Sequence, residues 1–315
     1  MKNKVLTTAK MLITLASIGI VAYYVDLDEV AAIISGINLV WAALALLVFW
    51  IAQIIASYRF VYIAKALGCT LQLLESIKVH FIALWFNQVL PTSIGGDIVK
   101  IGLLKNPLGF GVAVRITLLD RFSGLFILVL AIFAGLPYYA HIFTGHSEFF
   151  YHALQIGSIT FICAVVLSGS ILEKCKPLFS RLKFLEPVMT LIMDTCKFRK
   201  WQHLWRQLWT STLVHISGVS VYGLLGLALG YDVNLLGFIF IVPLVFLVAL
   251  IPVSLAGWGV REMGAIWLFH FIEVSKEAAL AISFSYGLML VVSSMPGLIY
   301  YILASRARVP FDAHG

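Results

Sequence analysis

Six apolar runs, at about 6–25, 38–57, 118–140, 151–171, 207–229 and 278–303, alternate with polar flanks along the chain. Each is close to the roughly 20 residues that cross the hydrocarbon core of a bilayer as a helix. Two more apolar segments, 71–105 and 235–272, are broken by clusters of proline, glycine and serine, which leave only short pieces on either side. The pattern predicts an all-α polytopic membrane protein with about six full transmembrane helices and two interrupted segments. The longest hydrophilic stretch, 172–206, falls below the roughly 50 residues at which independent domains begin. Residues 1–315 are therefore expected to form a single integral membrane domain, with a first half of about 1–171, the loop 172–206, and a second half of about 207–303.

Composition points the same way: 61% of the 315 residues are hydrophobic and 12% charged, against about 25% charged in a soluble domain. The mean hydropathy is +1.00. A net charge of +7 would suggest nucleic acid in a soluble protein. Here the lysines and arginines lie between the apolar runs, where they set orientation in the membrane, and no nucleic acid is expected as a partner. Lys2, Lys4 and Lys10 place the N-terminus in the cytoplasm, with Asp26, Asp28 and Glu29 outside. Arg59, Lys65 and Lys78 return the chain to the inside, and Arg306 and Arg308 keep the C-terminus there. Segment 71–105 then enters and leaves on the cytoplasmic side, and 235–272 does so on the opposite side. The two interruptions become oppositely inserted re-entrant helical hairpins, an inverted repeat. The first run lacks a small-residue cleavage site and reads as an uncleaved span, which makes the protein a multi-pass resident of the cell (plasma) membrane.

The two breaks share a pattern. "LPTSIGGDIVK" (90–100) aligns without a gap with "IPVSLAGWGVR" (251–261), matching Pro91 with Pro252, Ser93 with Ser254, Gly95 with Ala256, Gly96 with Gly257 and Lys100 with Arg261. Proline removes an amide hydrogen and glycine permits a sharp turn, so each motif should end one half-helix and start another. Non-helical backbone at membrane depth survives only where protein buries it or water reaches it. Ser93 and Ser254 are expected to cap the second half-helices, whose amides and dipole, with Lys100 and Arg261 one turn on, would form an anion site. Paired interruptions in inverted halves are the arrangement of secondary transporters. Asp97 and Glu262 either neutralise Lys100 and Arg261 or carry a coupling proton.

Other signals are weaker. "RITLLDRFSGL" brings Arg115, Asp120 and Arg121 to the inner end of a span, where headgroup contact and snorkelling are both open. "KFRKWQHLWRQLW" spaces Trp201, Trp205 and Trp209 on one helical face, as an interfacial helix leading into a span does. Gly226 and Gly230 have the spacing of a helix-packing pair. His80, His215 and His270 lie in apolar surroundings and suit hydrogen-bonded packing. Cys69, Cys163, Cys175 and Cys196 form no ligand or disulfide pattern, and no HExxH, GxSxG or phosphate-loop motif occurs, so neither a metal site nor a cofactor is expected.

"PTSIGGDIVK", "LLDRFSGL" and "P-x-S-x-x-G-x-G-V-R-E" (Pro252 to Glu262, with Gly259 inside it) resemble the flippase-like membrane domain of lysylphosphatidylglycerol synthases. The resemblance covers roughly residues 10–303. It implies movement of a lipid between leaflets without lipid aminoacylation, since the chain has no room for the soluble domain that performs it. On that reading the protein is not an enzyme but a flippase or scramblase. Its cargo would be an anionic phospholipid, a glycolipid or a polyprenyl-phosphate lipid. The alternatives are a membrane-embedded lipid-modifying transferase, with Asp97, Asp120 and Glu262 as its acid–base candidates, and a non-transporting scaffold. A homo-oligomer and a lipid-synthesising partner docked on the basic loop both remain open.

Overall fold

The computed structural model describes residues 15, 19–21, 23, 25–90, 94–143, 148–179, 194, 201–232, 234–251, 254 and 256–307. All regular elements among them are helical, and the protein is an all-α polytopic membrane protein. The run at 6–25 lies almost entirely outside the described residues.

The first helix, α1 (Leu27–Ser35), occupies what reads in the sequence as a connecting loop. Asp26 starts it: its Oδ1 accepts the N–H groups of Asp28 at 3.0 Å and Glu29 at 3.2 Å, amides that have no partner within the helix. α2 (Leu39–Ala66) is 28 residues long and ends at Gly68, whose φ of 83° is the left-handed exit that glycine allows. The first interrupted segment forms α3 (Leu73–Val89) and α4 (Gly95–Leu108). Next come α5 (Phe110–Ala134), α6 (Leu136–Phe143), α7 (Glu148–Phe179) and α8 (Trp201–Ala228). The second interrupted segment forms α9 (Leu235–Ala249) and α10 (Val260–Phe269), then a 3-10 turn at His270–Ile272, before α11 (Lys276–Ala307).

Five of these helices, α2, α5, α7, α8 and α11, are long and apolar enough to cross a membrane, and they coincide with five of the six expected spans. α5 starts at Phe110 rather than near 118 because Arg115 and Asp120, which look like a polar flank, lie inside the helix. Gly226 and Gly230 are not a packing pair: Gly230 has a φ of 83° beyond the end of α8, and the Tyr231 N–H bonds back to the Gly226 carbonyl. In α8, Trp205 and Trp209 stack at 6.1 Å and are exposed, so the tryptophan face and the span behind it are one continuous helix.

Packing divides the chain into two units. The first takes residues up to Ile54, Ile77–Leu103 and the chain from Ile216 on, and so contains both interruptions. α11 packs there against α10 and α1, and α9 against α10. Tyr222 stacks on Tyr286 at 4.4 Å and meets Phe246 and Phe269 edge-on. The second unit takes Ile55–Ser76 and Leu104–His215. α7 there packs against α5 and α6, with Phe143 edge-on to Phe150. Between membrane helices, where lipid tails are as apolar as leucine, such ring packing and interhelical polar contacts carry the association.

Candidate functional site

Both interruptions fold back on themselves. In the first, Gly96 at the start of α4 lies so close to α3 that an added Cβ would strike the Ala83 carbonyl and sit 2.7 Å from the Asn87 amide. The Gly96 N–H donates to Asn87 Oδ1 at 2.7 Å, and one turn on Lys100 Nζ is 3.2 Å from His80 Nε2. Gly95 closes over Leu90, 2.6 Å from where its Cβ would be. Asp97, Lys100 and His80 are all buried. In the second, Gly264 of α10 abuts Val248 of α9.

The turn before α10 is built from left-handed backbone: Ala256, Gly257 and Gly259 have φ of 49°, 82° and 84°. For alanine this conformation costs roughly 1–2 kcal/mol, a strain that the surrounding structure must hold in place. Glu262 ties the turn to α10, its Oε2 accepting the Gly259 N–H at 2.7 Å. Its Oε1 accepts from Arg261 Nε at 3.0 Å and Nη2 at 2.5 Å. The arginine and the glutamate are 3% and 4% exposed, so this is a buried ion pair. The guanidinium lies 5.0 Å from the Trp258 ring centre and 5.7 Å from that of Tyr286, within the range of cation–π attraction. Gly287 of α11 makes the room: an added Cβ would collide with Arg261 Nη2 and come within 2.7 Å of Trp258.

These details correct the expected anion site in three ways. Ser254 does not cap α10; its hydroxyl is buried and has no hydrogen-bond partner among the described residues, and the capping acceptor is Glu262. Several amides at the two helix starts are taken up by the chain: Gly96 N–H by Asn87, Asp97 and Ile98 N–H by the Ile94 carbonyl, Gly259 N–H by Glu262 and Arg261 N–H by the Gly257 carbonyl. Finally, the gapless match between motifs does not carry over to conformation. Gly95 and Gly96 begin a helix, whereas their counterparts Ala256 and Gly257 lie in a left-handed turn and α10 starts only at Val260. Pro91, Ser93 and Pro252 lie outside the described residues.

Arg115, Asp120 and Arg121 belong to the second unit. Asp120 Oδ1 accepts from Arg59 Nε at 2.8 Å, and Arg59 Nη1 reaches Ser211 Oγ at 3.0 Å. Arg115 Nη1 bonds Asp194 Oδ2 at 2.8 Å, and Arg121 is exposed. Gln207 Nε2 bonds Ser123 Oγ, and His215 Nε2 is 2.8 Å from the Gly124 carbonyl, a packing role like the one its apolar surroundings suggest. His270, by contrast, is exposed. Sequence reasoning missed Arg59, Asn87, Trp258, Tyr286 and Gly287. The sequence reads Arg59 only as a cytoplasmic flank of the run at 38–57, whereas it is buried inside α2. Among the described residues no group of three or more His, Cys, Asp or Glu side chains could hold a metal ion.

Membrane-length helices, two helical breaks and a buried, neutralised arginine among aromatic rings define a polytopic membrane protein with a polar centre in its first unit. The chain belongs to the family described as the lysylphosphatidylglycerol synthase TM region, whose model matches residues 8–297. No curated protein matches the chain. Membership ties the protein to membrane lipids.

Proposed function

We propose that the protein moves a lipid between leaflets, with the polar headgroup held at the Arg261 cluster and the acyl chains left in the bilayer. The observation that carries this reading is Arg261 itself. A guanidinium has five N–H donors; Glu262 takes two of them, and the rest have no acceptor among the described residues although the side chain is buried. A headgroup oxygen would take up these remaining donors with charge-assisted hydrogen bonds, which are the stronger kind. The breaks at 90–95 and 250–259 serve as re-entrant elements entering from opposite faces, and rocking about them exposes the site to each leaflet in turn.

The test is lipid crossing by the purified protein in liposomes, read by leaflet-selective quenching of a labelled phospholipid. Crossing without any added enzyme, lost in Arg261→Glu at unchanged protein yield, supports the reading. A new lipid species in the same vesicles would instead favour a lipid-modifying transferase, and neither crossing nor modification would overturn transport.

A further inference from the structure

The Arg261 cluster is electrically balanced, and that bears on the charge of its cargo. The arginine's ionisable neighbours are Glu262, Tyr222 and Tyr286; with the tyrosines neutral, the guanidinium and carboxylate sum to zero. The sequence alone leaves open whether Glu262 neutralises Arg261 or carries a coupling proton, and expects an anionic headgroup. Glu262 neutralises Arg261 while leaving part of the guanidinium's hydrogen-bonding edge open.

A net-anionic headgroup entering such a site would bring an unbalanced charge into a low-dielectric region, which is strongly unfavourable. An uncharged sugar would bring no charge but could not use the guanidinium fully, since charge-assisted hydrogen bonds are about twice as strong as neutral ones. A headgroup carrying both signs meets both demands. Its phosphodiester would accept from the open N–H groups of Arg261. Its ammonium would find the Glu262 carboxylate, whose Oε2 accepts only the Gly259 N–H among the described residues, and the Trp258 ring, which already attracts one cation.

We propose that the Arg261–Glu262 site selects a zwitterionic phospholipid headgroup, phosphodiester to Arg261 and ammonium to Glu262 and the Trp258 ring, over one of net negative charge. The inference rests on the headgroup being held at this cluster, as proposed above.

The experiment compares three lipids with identical labelled tails in proteoliposomes: phosphatidylethanolamine, phosphatidylglycerol and a glucosyl diacylglycerol. The expected result is that phosphatidylethanolamine crosses about tenfold faster than either of the others. Glu262→Gln keeps an acceptor for the Gly259 N–H but leaves the site with a net positive charge, and should shift the preference toward phosphatidylglycerol. Equal rates for all three, or faster phosphatidylglycerol in the wild type, would overturn the selectivity while leaving lipid transport standing. No crossing of any lipid would overturn both. The wild-type comparison decides the matter even if the variant does not fold.

Discussion

Arg59 Nε donates to Asp120 Oδ1 at 2.8 Å, joining α2 to α5 through two side chains only 7% and 10% exposed. The remaining reach of the guanidinium goes to Ser211 of α8 at 3.0 Å, so one arginine ties three membrane-length helices together within the second unit. Removing one member of a buried pair strands the other, at a cost of about 3–5 kcal/mol, whereas replacing both with apolar groups of similar size is often neutral. Asp120→Ala should therefore sharply lower the thermal stability of the detergent-purified protein, and Arg59→Met with Asp120→Leu should recover most of the loss. A double variant as unstable as the single one would mean that the pair contributes more than mutual neutralisation.

The glycines of α11 and α4 make opposite predictions at sites that look alike in sequence. An added Cβ at Gly297 would strike the Phe81 carbonyl and approach the Ile82 nitrogen at 2.7 Å, so α11 and α3 are in backbone contact there. At Gly102 nothing lies within 4 Å. Ordinarily alanine favours a helix over glycine by about 1 kcal/mol, and Gly102→Ala should be neutral or slightly stabilising. Gly297→Ala forces two backbones apart, and overpacking typically costs about 1–3 kcal/mol. Melting curves of the two variants should move apart in sign or in size, and coincident curves would remove the close contact from the account.

Much of this architecture was legible because its signals are local. Apolar length placed α2, α5, α7, α8 and α11, and proline with glycine located both breaks to within a few residues. The charge pairings were of two kinds. Glu262 beside Arg261 is a neighbour in sequence, and its pairing was one of two readings available there. Arg59 and Asp120 are 61 residues apart, and no periodicity relates them; only the cost of a lone charge within a span announces that a counter-charge must exist somewhere. The expected serine cap failed for a related reason. Ser254 lies before a left-handed turn at Ala256, Gly257 and Gly259, so α10 starts only at Val260, out of the serine's reach, and Glu262 accepts the Gly259 N–H instead. The repeat itself misled, since an eleven-residue alignment sharing proline, serine, glycine and valine concealed a helix start at one site and a left-handed turn at the other.

Gly287 separates structure from function at the Arg261 cluster. An added methyl there meets two things: the Nη2 end of Arg261, and the Trp258 ring at 2.7 and 3.0 Å. The first is the end of a guanidinium held in a buried ion pair with Glu262. The second is a rigid ring edge-on to Phe284 at 5.7 Å, and it must shift as a body. Neither is backbone, unlike the Phe81 carbonyl at Gly297, so Gly287→Ala should still fold, at some cost in stability. The guanidinium, however, can no longer keep its present place against Glu262 and the two rings, and displacements of about 1 Å from productive geometry can cost 100-fold in rate. Lipid crossing in liposomes should therefore drop by at least tenfold in Gly287→Ala protein that is still folded at the assay temperature. Gly297→Ala should instead lose stability and transport together. A Gly287→Ala protein that moves lipid at the wild-type rate would show that the headgroup is handled away from Arg261, because no other glycine of known surroundings touches that side chain.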